Sequence, residues 1–112
     1  MSKHDDRLYL GHMLDLARRV AAKVAGLTRA DFDGDENLRL AVTHLLQTIG
    51  EAARHTSEAL RSEHPEVPWA AIVGMRHKVV HDYFEIDEDV VWVTATERVP
   101  PLIDQLLRIV QE

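Results

Sequence analysis

Apolar residues recur every three or four positions along almost the whole chain, and that period decides what it can fold into. Between Asp6 and Ala25 the step runs through Tyr9, Met13, Leu16, Val20 and Val24 and on to Leu27, which sets these side chains on one face of a helix. Gly26 is placed to stop it, and "TRAD" from Thr28 reads as a capping box for a short turn of helix before Gly34. A second long helix is predicted from about Asp35, through Leu38, Val42, Leu45, Leu46, Ile49, Ala53 and Leu60, until Pro65 and Pro68 end it. Pro68 suits the first position of a third helix, because its missing N–H would have no intrahelical partner there. That helix is predicted over about Pro68 to Tyr83, with Trp69, Ile72, Val73, Val79 and Val80 as its apolar contacts. Asp87 is a good cap for a fourth, with Glu88 and Asp89 complementing its dipole, and Val90, Val93, Leu102, Leu106 and Val110 continue the pattern. Pro100 and Pro101 must interrupt its hydrogen bonding with a kink or a restart. No segment alternates like a strand. The expectation is an all-α fold, an up-and-down bundle of four long helices or five shorter ones, forming one domain over residues 1–112.

Composition bounds the function. A hydrophobic fraction of 46% with 29% charged residues fits a globular protein, and no apolar run approaches the roughly 20 residues of a membrane-spanning helix. The N-terminal "MSKHDDRLYL" passes from charge directly into an amphipathic pattern, unlike a secretory signal. There are no cysteines, so neither disulfides nor thiolate chemistry are available. A soluble, cytoplasmic protein is expected. A formal charge of -6 repels a polyanion over most of the surface, so any RNA contact must be local. The acidic run Asp82, Glu85, Asp87, Glu88 and Asp89 suits a basic protein partner better than a phosphate.

Against that background "MRHKVVHDYF", Met75 to Phe84, is unusual: it puts Arg76, His77, His81 and Tyr83 into an otherwise apolar helix. At roughly 100° per residue Arg76 and Tyr83 return to nearly one face, with His81 roughly 140° round from Arg76. Imidazole exchanges protons near neutral pH, and guanidinium is a permanent cation whose donors fit phosphate oxygens. Together they are the minimum for cleaving a phosphodiester without metal: a 2'-hydroxyl attacks its own phosphorus, with His81 as general base or acid and Arg76 stabilising the growing charge. The bland reading is a helix edge with capped or half-exposed polar side chains, and spacing alone does not exclude it. "HKVVH" also has the i, i+4 spacing with which two imidazoles share a zinc ion, but it lacks the glutamate of HExxH and an evident third ligand. His4, His12, His44, His55 and His64 are scattered. Arg18, Arg19 and Lys23 read first as a solvated face, with RNA guidance as the alternative.

"RHKVVHDY" matches the R-x4-H-x-Y pattern of the HEPN ribonuclease toxins, and the chain resembles the HepT (DUF86) family. The likeness extends to "DDRLYLGHML", "TIGEAARHTSEALR", "HPEVPWAAIVGMRHKVVHDYF" and "IDEDVVWVTA", in order and spacing over nearly the whole chain. It implies an all-helical homodimer whose two motifs face each other across a cleft, forming a composite, metal-independent ribonuclease site without a cofactor. Carried over by position, Arg76 and His81 become the catalytic pair. Tyr83 becomes the tyrosine that a partner antitoxin, a minimal nucleotidyltransferase of the MNT type, modifies with AMP. His77 stands where asparagine is common in the family, and supports the site or shares in proton transfer. Glu51, in the I-G-E-A segment, is positioned to orient Arg76 by a salt bridge or to serve as a purely structural pair. The resemblance implies the toxin of a type VII toxin-antitoxin pair. Its alternative is a non-catalytic substrate-binding subunit of a two-component nucleotidyltransferase.

Overall fold

Four helical layers follow one another in the order α5 (Trp69–Lys78), α3 (Glu36–Arg54), α1 (Lys3–Val24) and α7 (Val99–Val110). The computed structural model describes residues 3–81 and 85–112, with Lys3, His4, Val80 and His81 described by their backbone alone. The predicted first helix is α1 (Lys3–Val24), which buries Leu10, Met13, Leu14, Ala17, Val20 and Val24. It stops at Gly26, whose φ of 73° is a left-handed conformation that costs glycine nothing. The capping box closes as expected: the Thr28 hydroxyl accepts from the Asp31 N–H, and the Asp31 carboxylate from the Thr28 N–H, to open α2 (Arg29–Asp33). Asp35 then caps α3 (Glu36–Arg54) by accepting from the Leu38 N–H. Helix α3 is the centre of the fold, packed on α1 through one face and on α5 through another.

The long second helix expected from Asp35 to the prolines is divided. It ends at Arg54, and α4 (Glu58–Glu63) starts afresh from the N-cap Ser57. Asp6, buried on α1, imposes the break: its carboxylate accepts the Ser57 N–H at 2.8 Å and the Ser57 hydroxyl at 2.7 Å. Arg61 closes the other side, donating to the carbonyls of Ala53, Arg54 and Thr56. Arg61 thus satisfies orphan carbonyls at the end of α3, and Asp6 takes an N–H and a hydroxyl at the start of α4. Pro68 sits one residue before its expected place, as the N-cap of α5 (Trp69–Lys78).

Helix α5 is also shorter than predicted, ending at Lys78 rather than at Tyr83. Beyond it Val80–His81 (β1) pairs antiparallel with Glu85–Ile86 (β2), Val80 opposite Ile86 and His81 opposite Glu85. The β-branched pair Val79–Val80 is poor helix material, and the ladder gives its backbone other partners, including the Asp87 N–H that donates to the Val79 carbonyl at 2.8 Å. A strand, however short, corrects the expectation of none. Asp87 caps α6 (Glu88–Val93) through the Val90 N–H, as predicted. A π turn (Thr94–Arg98) then joins α6 to α7 (Val99–Val110). Pro100 and Pro101 offer no N–H, and the Val99 N–H reaches back five residues to the Thr94 carbonyl, so the interruption expected from the prolines is a widened turn within a continuing helix. Among the described residues there are thus seven α-helical segments rather than four or five, in the all-α bundle expected.

Candidate functional site

The site is built where α3 and α5 come closest. At Gly50 a Cβ would lie 2.7 Å from the Ile72 carbonyl oxygen and 3.7 Å from the Arg76 nitrogen. Only glycine tolerates that approach. The next residue, Glu51, consequently reaches across to α5 and accepts from Arg76 Nη1 at 3.0 Å through Oε2. Its other oxygen, Oε1, takes Arg54 Nη2 at 2.7 Å and stands 3.3 Å from His55 Nε2. One carboxylate therefore gathers two guanidiniums and an imidazole. The hydrogen bond from Arg54 holds the Glu51 carboxyl below the usual carboxylate range; partial loss of solvent opposes it, and the charges of Arg54 and Arg76 and the His55 contact reinforce it. Arg54 is shifted upward by the same partner. His55 in turn stacks on Tyr9 of α1, ring centroids 5.1 Å apart, and Tyr9 meets His12 edge-on.

Arg76 occupies the last turn of α5 with His77 and Lys78, where cations complement the negative end of the helix dipole. That alone gives the three basic residues a structural reason to be there. Yet the Arg76 side chain is 42% exposed, and among the described residues its one side-chain hydrogen-bond partner is Glu51. His77 is exposed too, on a shallow groove of about 540 Å³ lined by Arg54, Arg61, Ala70, Gly74 and Arg76. Among the expected site residues, then, the fold brings together Glu51 and Arg76, with His77 alongside.

The angular argument for the rest does not hold. His81 was placed on the helix with Arg76, but α5 ends at Lys78 and the His81 backbone lies in β1, opposite Glu85. Tyr83 lies outside the described residues. The "HKVVH" pair is not one turn apart on a helix, because the helix stops between its two histidines; among the described residues no three His, Asp or Glu side chains are grouped to hold a metal ion. The acidic run is also partly occupied: Glu88 pairs with Arg39 at 3.2 Å and Asp89 with Arg29 at 2.8 Å. Arg18, Arg19 and Lys23 are exposed, with Arg19 paired to Asp15. His64 is buried near Glu66 and Glu112, and its carbonyl accepts from the Trp69 indole. Sequence reasoning passed over Arg54 and Arg61. Their signal was faint: two arginines in "ARHTSEALR", on either side of a break that only the fold reveals.

Comparison with known proteins bears on this arrangement. A family model described as Ribonuclease HepT-like matches residues 13–109. A protein provisionally named as an RNase in Caldanaerobacter subterraneus subsp. tengcongensis is 35% identical over 106 residues, covering 95% of each chain. Another so named, from Methanocaldococcus jannaschii, is 34% identical over 102 residues, 91% of this chain and 94% of its own. A protein of Thermococcus cleftensis, provisionally named ribonuclease HepT, is 39% identical over 72 residues, 64% of this chain and 66% of its own. No solved structure gives a significant match. Among the described residues no helix is long and apolar enough to cross a membrane.

Proposed function

This chain belongs to the Ribonuclease HepT-like family, and from that premise we propose that it is a metal-independent endoribonuclease, the toxin of a type VII toxin-antitoxin pair. The observation that supports this reading best is Arg76: an exposed cation at the end of α5, oriented by Glu51, five residues before His81. In the proposed reaction the 2'-oxygen of a ribose attacks the adjacent phosphorus as its proton passes to one imidazole. The bond to the 5'-oxygen breaks, and that oxygen takes a proton from an acid. The products are a 2',3'-cyclic phosphate and a 5'-hydroxyl. Arg76 stabilises the charge that grows on the phosphoryl oxygens, and His81 moves the proton.

Base and acid need two groups, and a homodimer with facing motifs supplies two His81 side chains. His77 supports this site. Tyr83 is the control point, where an MNT-type nucleotidyltransferase antitoxin attaches AMP; the added anion competes with RNA phosphate for Arg76 and obstructs the cleft.

The purified chain should cleave RNA in EDTA, leave cyclic phosphate ends, and lose roughly 100-fold or more of its rate in His81→Ala. Chelator-sensitive cleavage restored by zinc would overturn the metal-independent mechanism, and a chain that cleaves no RNA would favour the substrate-binding subunit. Incubation with the nucleotidyltransferase and ATP, read by intact mass, should add AMP to wild type but not to Tyr83→Phe, which remains able to cleave.

A further inference from the structure

A chain of net charge -6 must hold a polyanion through a small part of its surface. The groove beside Arg76 has the required chemistry. Its floor is the outer face of α5, where Ala70, Val73 and Gly74 are small enough to admit a backbone, and its walls are Arg54, from the end of α3, and Arg61, from α4. The two walls differ in how their charge is balanced. Arg54 shares the Glu51 carboxylate with Arg76, so these two guanidiniums stand one carboxylate apart. Arg61 has no carboxylate partner among the described residues: Nε donates to the Thr56 hydroxyl and Nη2 to three backbone carbonyls, and Nη1 keeps its donors without a partner there. Among the described residues the groove thus gathers three guanidiniums, two of them sharing the Glu51 carboxylate, a local positive excess on an acidic protein, with His77 at the rim.

We infer that Arg54 and Arg61 form a second phosphate subsite, which binds the RNA phosphate next to the one held at Arg76 and so sets the register of the strand. This rests on the ribonuclease reading for its substrate, but it assigns a separate task to separate residues. Arg54 and Arg61 are positioning residues: they hold a phosphate that does not react. A substrate with a single phosphate cannot use them.

The experiment compares wild type with Arg54→Gln and Arg54→Lys on two probes: a single-stranded RNA decamer and a dinucleotide with one phosphodiester. Decamer binding is measured by fluorescence anisotropy against salt, with His81→Ala in each background to prevent cleavage. Arg54→Gln should weaken decamer binding about fivefold and reduce the slope of log affinity against log salt by about 0.7, the value for one phosphate contact on a single strand. In cleavage it should raise KM for the decamer about fivefold more than for the dinucleotide, since any loss passed through Glu51 to Arg76 is common to both probes; Arg54→Lys should restore most of the slope. Equal losses on decamer and dinucleotide would overturn the subsite and place the role of Arg54 in holding Glu51 and Arg76. An unchanged salt slope would overturn it as well. RNA binding that loses slope in Arg54→Gln, in a protein that cleaves nothing, would uphold the subsite and defeat the ribonuclease reading.

Discussion

Replacing Gly50 by alanine tests the contact on which the site is built. The added Cβ would meet the Ile72 carbonyl oxygen at 2.7 Å, and ordinary contact begins at 3.4 Å, so α5 must move from α3 by about 0.7 Å. Overpacking of this kind costs about 2–3 kcal/mol, and because the obstacle is backbone it has no rotamer with which to yield. Alanine in place of glycine inside a helix returns about 1 kcal/mol. The net loss should be about 1–2 kcal/mol, or a fall in Tm of about 4–8 °C for a chain of this length. Gly74→Ala, on α5 itself, is the control: nothing lies within 4 Å of its Cβ, so the helix preference should act alone and raise Tm by about 2–4 °C. Circular dichroism at 222 nm gives both values. The same displacement carries Arg76 away from Glu51, and RNA cleavage by Gly50→Ala at a temperature where it is folded should fall roughly 10- to 100-fold. If Gly50→Ala melts at or above the wild-type temperature, α5 is not pressed against α3 there, and the geometric origin of the Glu51–Arg76 pair is refuted.

Asp6→Ala should cost about 2 kcal/mol, because it removes two hydrogen bonds to a buried carboxylate that hold the start of α4; denaturant unfolding measures it, and a change below 0.5 kcal/mol would show that Ser57 caps α4 unaided. The Glu51 carboxyl carbon, followed by NMR, should titrate below the ordinary value of 4.5, chiefly through the Arg54 hydrogen bond, and move up in Arg54→Gln. Because the folded pKa is depressed, the stability it contributes is present above the ordinary carboxylate range and lost as pH falls through the lowered value; a loss between pH 6 and 8 would have another source. His77→Ala should slow RNA cleavage less than His81→Ala does, and equal losses in single-turnover assays would make His77 a partner in proton transfer.

What the sequence made legible was local. The Thr28–Asp31 capping box, the stop at Gly26, the helix start near Asp35 and the Asp87 cap depend on residues within a turn or two of one another, and each forms as read. The apolar face of α1 does so only in part, for Met13, Val20 and Val24 are buried, but Tyr9 and Leu16 are half-buried, Leu27 is exposed, and Leu10, Leu14 and Ala17 fill the core beside them. The break at Ser57 was not legible because its cause, Asp6, is 51 residues away. The end of α5 was missed for a similar reason: Val79 and Val80 keep the apolar spacing of a helix, but their backbone pairs with a segment further along the chain. The site divides the same way. Arg76 and His77 stand out by residue type, and the reach of Glu51 to Arg76 was suggested only through family resemblance. Arg54 and Arg61 become neighbours of Arg76 only once α3, α4 and α5 are assembled.

The π turn before Pro100 acts as a phase shifter. One residue more than an α-helix needs is accommodated between Thr94 and Arg98, so the face of α6 is rotated relative to that of α7 by about 100°. Val91 on one side and Leu102 and Leu106 on the other can then all reach the core. The azimuth so fixed passes to the start of α6, where the Asp87 N–H is tied to the Val79 carbonyl and Val80 is paired with Ile86. Deleting a single residue from 94–98 would restore a regular helix and turn that whole assembly by the same angle, so the orientation of the strand bearing His81 is set by a stretch of helix that never approaches Arg76 in sequence.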